Sequence, residues 1–137
     1  RSLSLKEFDE KFDYVFLEFG LNDTKHSKPE YYLKEIIDFI KIKNDKGIIA
    51  LILLNNLEQI KFRIKNSKLD VTSKTWYNVA KSYNIPIIDV TEKMLIKSKD
   101  RQFYEYILPD GVHPNIMGHF IYANIIFKEL ISLKIIE

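Results

Sequence analysis

Two short polar clusters hold the residues best suited to chemistry. Asp110-Gly111-Val112-His113-Pro114 sets a carboxylate and an imidazole three residues apart, and a four-residue turn brings its first and last Cα atoms within about 7 Å. A carboxylate that accepts the Nδ1 proton fixes the imidazole tautomer. Nε2 is then free to take a proton from a hydroxyl and later return it. Gly20-Leu21-Asn22-Asp23 offers a different function. The Asn22 side-chain amide can donate to an oxygen on which negative charge develops, and one such donor is worth on the order of a hundred- to a thousandfold in rate. Each cluster alone is also an ordinary turn composition, since Gly, Asn and Asp all suit turns. The chemistry therefore depends on the elements that position them.

Those elements alternate along the chain. Ser4 and Glu7 have capping-box spacing, and Leu5, Phe8 and Phe12 follow at helical spacing, so the opening residues read as a short helix. Residues 14–19 are a β-branched and aromatic run that stops at Gly20, the pattern of a buried strand entering a loop. Pro29 suits a first helical position, with Tyr32, Ile36, Phe39 and Ile40 forming an apolar stripe to about Lys43. Asn44-Asp45-Lys46-Gly47 ends that helix, and residues 48–54 form a second buried strand. Residues 57–69 fit either a helix or a long pocket-shaping loop. A helix from Asp70 or Thr72 to Tyr83 follows, with Trp76, Val79 and Ala80 on one face. Residues 85–90 make a third strand, Thr91 caps a short helix through Ile96, and Asn115 caps a final helix whose Phe120, Ile121, Ile125, Leu130 and Ile131 are expected to face a core.

Strands apolar throughout, alternating with helices, imply a parallel sheet covered on both faces by right-handed crossovers, a three-layer α/β/α domain. Neither an internal repeat nor a linker interrupts the chain, so residues 1–137 are expected to be a single domain. In such a sheet functional groups gather beyond the carboxyl ends of the strands. Both clusters fall there.

Taken in this order and setting, the two clusters resemble blocks of the SGNH, or GDSL-like, esterases and lipases. That family's third block reads Gly-x-Asn-Asp after a strand, matched by residues 20–23, and its fifth reads Asp-x-x-His-Pro before the last helix, matched by residues 110–114. Asn115-Ile116-Met117-Gly118-His119 is similar to the start of its final helix, and Ile87-Ile88-Asp89-Val90 to the strand before it. The resemblance spans nearly the whole chain and implies a flavodoxin-like strand order. It implies His113 as general base, Asp110 as its orienting carboxylate, and Asn22 with Gly20 as the oxyanion and substrate-binding element. Asp23 is expected to be structural.

One block does not match. The family's Gly-Asp-Ser, at the end of its first strand, has no counterpart here, nor has the glycine of its second block. Ser4 is explained by the capping box, Ser2 precedes a helix, and Ser67, Ser73, Ser82 and Ser98 lack a strand-to-helix elbow. The domain is therefore expected to be incomplete at its N-terminus. Its missing strand would leave an apolar sheet edge that a missing N-terminal segment or another chain must pair with, and the nucleophilic serine would lie upstream. The implied activity is hydrolysis of carboxylic esters, small-molecule or glycan, through a Ser-His-Asp mechanism without metal or organic cofactor. An acyltransferase of the same fold and a catalytically inert binding or structural module are the alternatives, and a metal-dependent phosphoesterase is a third.

Asp23 and His26 repeat the spacing of Asp110 and His113, but a dinuclear metal site needs more ligands than these four. Phe103, Tyr104 and Tyr106 suit either a substrate pocket or the core, and His119 either packing or solvent. The 21 basic and 19 acidic residues are interleaved, so no basic stripe for nucleic acid exists. The longest apolar run, residues 48–54, is far below the roughly 20 residues of a membrane span. With no cysteine, neither a disulfide framework nor thiol catalysis is available, and the compartment, cytoplasmic or secreted, stays open.

Overall fold

A computed structural model describes residues 11–19, 28–97, 105–107 and 109–137. The elements run β1 (Tyr14–Phe19), α1 (Pro29–Lys43), β2 (Ile48–Leu53), α2 (Leu57–Asn66), α3 (Val71–Tyr83), β3 (Ile87–Asp89), α4 (Val90–Lys97) and α5 (Ile116–Ser132). The strands form a parallel sheet in the order β1-β2-β3, with Tyr14 opposite Ile48 and Leu51 opposite Ile87. This is the expected α/β fold with a flavodoxin-like arrangement.

Side chains alternate across a strand, so each sheet face gathers its own core. Leu17, Ile49, Leu51 and Leu53 pack with Leu33, Ile37 and Ile40 of α1 and Trp76 and Val79 of α3. On the opposite face Ala50, Ile52 and Ile88 pack with Ile60 of α2, Met94 of α4, and Ile125 and Leu130 of α5. β2 is buried on both faces, which explains its unbroken apolar sequence. Among the described residues the second layer stops short of β1. Tyr14 and Phe16, stacked 6.3 Å apart on that face, are 43% and 41% exposed.

Of the two readings of residues 57–69 the helix holds, and several other expectations need correction. Residues 57–66 are a helix, capped by Asn56 and Gln59 in a reciprocal capping box. The third strand is only Ile87–Asp89, because Val90 already begins α4. The Asp89 carboxylate, not Thr91, takes the Glu92 N–H at the start of that helix, while the Thr91 hydroxyl accepts the Asn55 N–H. On α5, Ile125 and Leu130 are buried, but Phe120 is 69% exposed and Ile131 is exposed as well. Tyr32 likewise points away from the α1 core that Leu33 and Ile37 enter. The expected N-terminal helix falls outside the described residues.

Candidate active site

The loop before α5 is held from two sides. On one side Asn115 caps α5 by accepting the Gly118 N–H at 2.9 Å, a contact worth about 1 kcal/mol. Its own N–H donates to the Tyr106 carbonyl, and Pro114 bridges to Ile107. Gly118 permits this seat, since a Cβ there would run into the Tyr106 carbonyl oxygen. On the other side the Leu57 N–H, first of α2, donates to the Gly111 carbonyl at 2.8 Å. Gly111 has φ +72°, a conformation that favours glycine, and a Cβ would sit 3.4 Å from Leu57 Cβ. Because α2 follows directly from β2, the loop sits at the carboxyl end of the sheet.

Within this loop Asp110 and His113 come together. Oδ1 of Asp110 accepts the backbone N–H groups of Val112 at 2.8 Å and His113 at 3.0 Å, and Oδ2 lies 2.8 Å from His113 Nδ1. The His113 N–H, then that of Val112, then the imidazole hold the Asp110 carboxyl down to about 2. It is thus a carboxylate at neutral pH and can only accept, so Nδ1 carries the shared proton. Nε2 has no partner among the described residues and is the nitrogen available for proton transfer. With the side chains 69% and 46% exposed, solvent screens their attraction. The backbone hydrogen bonds, more than the charge, fix the geometry.

Asn22, Gly20, Asp23 and His26 lie outside the described residues, as do Phe103 and Tyr104. Tyr106 is half-buried against the second core, and burial also raises the phenol of nearby Tyr122. His119 is exposed on α5. Ser67, Ser73 and Ser82, which are described, are engaged elsewhere or remote from the loop in sequence. Ser73 is buried and bonded to Asp70, Ser82 bonds Val79, and Ser67 ends α2 in a left-handed conformation. Among the described residues no three His, Asp or Glu side chains gather as metal ligands, and no helix is long and apolar enough to cross a membrane.

Between α2 and the end of β3 lies a buried polar network that spacing did not reveal. The Arg63 guanidinium forks onto Asp89, Nη1 to Oδ1 at 3.1 Å and Nη2 to Oδ2 at 2.7 Å, and Nη1 also donates to Asn55 Oδ1 at 2.7 Å. The two charged side chains are only 6% and 2% exposed. The Tyr77 hydroxyl lies 3.1 Å from Asp89 Oδ2 and 3.2 Å from Glu92 Oε2, which share its one proton. Burial first, then these two carboxylates, raise its phenol above the ordinary range, so it stays a donor. The available signals were Asp89 inside an apolar strand and a lone arginine among lysines.

The chain is similar to the solved structure of the lipase/acylhydrolase from Enterococcus faecalis. The two share 20% identity with a TM-score of 0.59 over 86% of this chain. At that identity the likeness shows the α/β fold of a lipase/acylhydrolase and nothing finer. The chain spans 60% of that structure's length. No protein-family profile matches the sequence, and no curated protein is similar to it.

Proposed function

We propose that this domain is most of a serine ester hydrolase acting on carboxylic esters of a small molecule or glycan. His113 is the general base, Asp110 orients it, and Asn22 with the Gly20 backbone stabilises the oxyanion. The observation that carries the reading is the 2.8 Å contact between His113 Nδ1 and an ionised Asp110 on a loop at the carboxyl rim of the sheet. The serine lies upstream, on a parallel strand that pairs with the outer edge of β1. Only a parallel neighbour delivers its carboxyl end to the rim where His113 stands. The position of β1 at the edge of the described sheet supports that placement.

In the forward step the serine hydroxyl attacks the ester carbonyl while Nε2 takes its proton. The imidazolium then protonates the departing alcohol, and water repeats the sequence to release the acid. Transfer of the acyl group to a sugar hydroxyl uses the same groups. A second reading, an inert binding module, draws on the engagement of Ser73 and Ser82 with other partners.

Hydrolysis of an activated acetyl ester by the protein expressed from its whole reading frame tests the reading. His113→Ala should lower kcat by on the order of a thousandfold or more, and Asn22→Ala by about a hundred- to a thousandfold, both with unchanged circular dichroism. Unaltered rates in the two variants, or no turnover in the parent, would overturn it.

A further inference from the structure

The Arg63 network is costly to bury. Replacing a buried ion pair with apolar groups of similar volume is often neutral or stabilising, so stability alone gives little reason for this arrangement. Its connections suggest another role. Arg63 ties α2 to the last residue of β3 through Asp89 and to the segment after β2 through Asn55. Asn55 in turn donates to Ser73 of α3 at 3.1 Å. Gln59 accepts the Asn56 N–H and donates to Asp70, the cap of α3. The second half of α2 is thereby fixed to the carboxyl ends of β2 and β3, and its first turn to the segment after β2 and the start of α3. Its first N–H is the donor that holds Gly111.

We propose that the buried Arg63/Asp89/Asn55 clamp is a positioning device for the Asp110 and His113 pair, acting through α2 and the hydrogen bond from the Leu57 N–H to the Gly111 carbonyl. Arg63, Asn55 and Leu57 are positioning residues; none touches the imidazole. Lysine cannot replace the arginine, because only a planar fork meets both Asp89 oxygens and Asn55 together. The consequence for turnover rests on the hydrolase reading above, whereas the positioning itself does not.

Leu57 gives a selective test. It is the first residue of α2, where proline is tolerated, and Asn56 already has the extended backbone (φ −75°, ψ 171°) that a residue before proline adopts. Leu57→Pro therefore removes the donor and keeps the helix, while Leu57→Ala keeps the donor and trims the side chain. In the 137-residue protein, NMR should detect the scalar coupling across the Leu57–Gly111 hydrogen bond and an Asp110 carboxyl titration near about 2. Leu57→Ala should preserve both. Leu57→Pro and Arg63→Lys should abolish the coupling and move the titration toward the ordinary ~3.9, with cooperative unfolding retained. If Arg63→Lys does not fold, the paired change Arg63→Met with Asp89→Leu takes its place. In the complete protein, Leu57→Pro should lower kcat for an activated acetyl ester by on the order of tenfold to a hundredfold with KM little changed. Folded Leu57→Pro and clamp variants whose Asp110 titration and Val112 and His113 amide signals match the parent would overturn the proposal. A parent without turnover would instead sink the hydrolase reading and leave the NMR outcome to decide the positioning.

Discussion

At β3 the sheet ends under a fully engaged polar network, while at β1 it ends in exposed aromatic side chains. Asp89 has partners on both oxygens, from Arg63, Tyr77 and the Glu92 N–H. Tyr14 and Phe16, on the same sheet, stand at an edge that no described strand covers. The contrast separates two kinds of sequence constraint. Around β3 the polar groups are so completely paired that losing one partner leaves a buried charge. At β1 the apolar groups are under-buried, and they gain only when something further packs on them.

Breaking the closed side should have the largest effect. Arg63→Met alone should destabilise the domain by about 3–5 kcal/mol, because it strands the Asp89 carboxylate in the interior, and urea unfolding would read this directly. A loss below about 1 kcal/mol would mean that water or another group reaches Asp89. Next, Gly111→Ala should cost about 1 kcal/mol or somewhat more, since alanine must take a left-handed backbone there; thermal unfolding checks it. On the exposed face of α5, Phe120→Ser should change the stability of this chain by no more than about 0.5 kcal/mol. In the protein expressed from its whole reading frame, the same substitution should cost more. Equal costs in the two forms would show that α5 gains no cover and would blunt the contrast.

The smallest effect is a titration. Asp110 is held at about 2, below the unfolded value of ~3.9. A depressed carboxyl contributes order that is present above about pH 4 and lost as pH falls through about 2. The Val112 and His113 amide signals should therefore stay native-like down to pH 3 or so. A midpoint near 4 would mean that the turn does not hold the carboxylate.

How far the sequence discloses this molecule depends on how plainly burial is written in it. β1 and β2 are legible because buried parallel strands are apolar throughout, and α3 because Trp76, Val79 and Ala80 keep helical spacing. α2 is not legible, for a specific reason. Its inward face carries Gln59, Ile60 and Arg63, whereas Phe62 and Ile64 are exposed, so hydrophobic periodicity points the wrong way. α5 fails in the opposite sense. It is apolar on nearly every side, and its period cannot tell Ile125, which is buried, from Phe120, which is not. At the site, the Asp110 and His113 spacing sufficed because a turn is local. The Leu57 contact to Gly111 links positions far apart in the chain and leaves no local trace. Asn22 and Gly20 remain proposals, carried by the motif alone.

The partner we propose for His113 is a serine supplied from upstream. A serine-directed fluorophosphonate, applied to the protein expressed from its whole reading frame and mapped by mass spectrometry, tests it most directly. A single modified serine preceding Arg1, with labelling abolished by His113→Ala, is the predicted result. Stoichiometric labelling of a serine within these 137 residues, or labelling indifferent to His113→Ala, would contradict it.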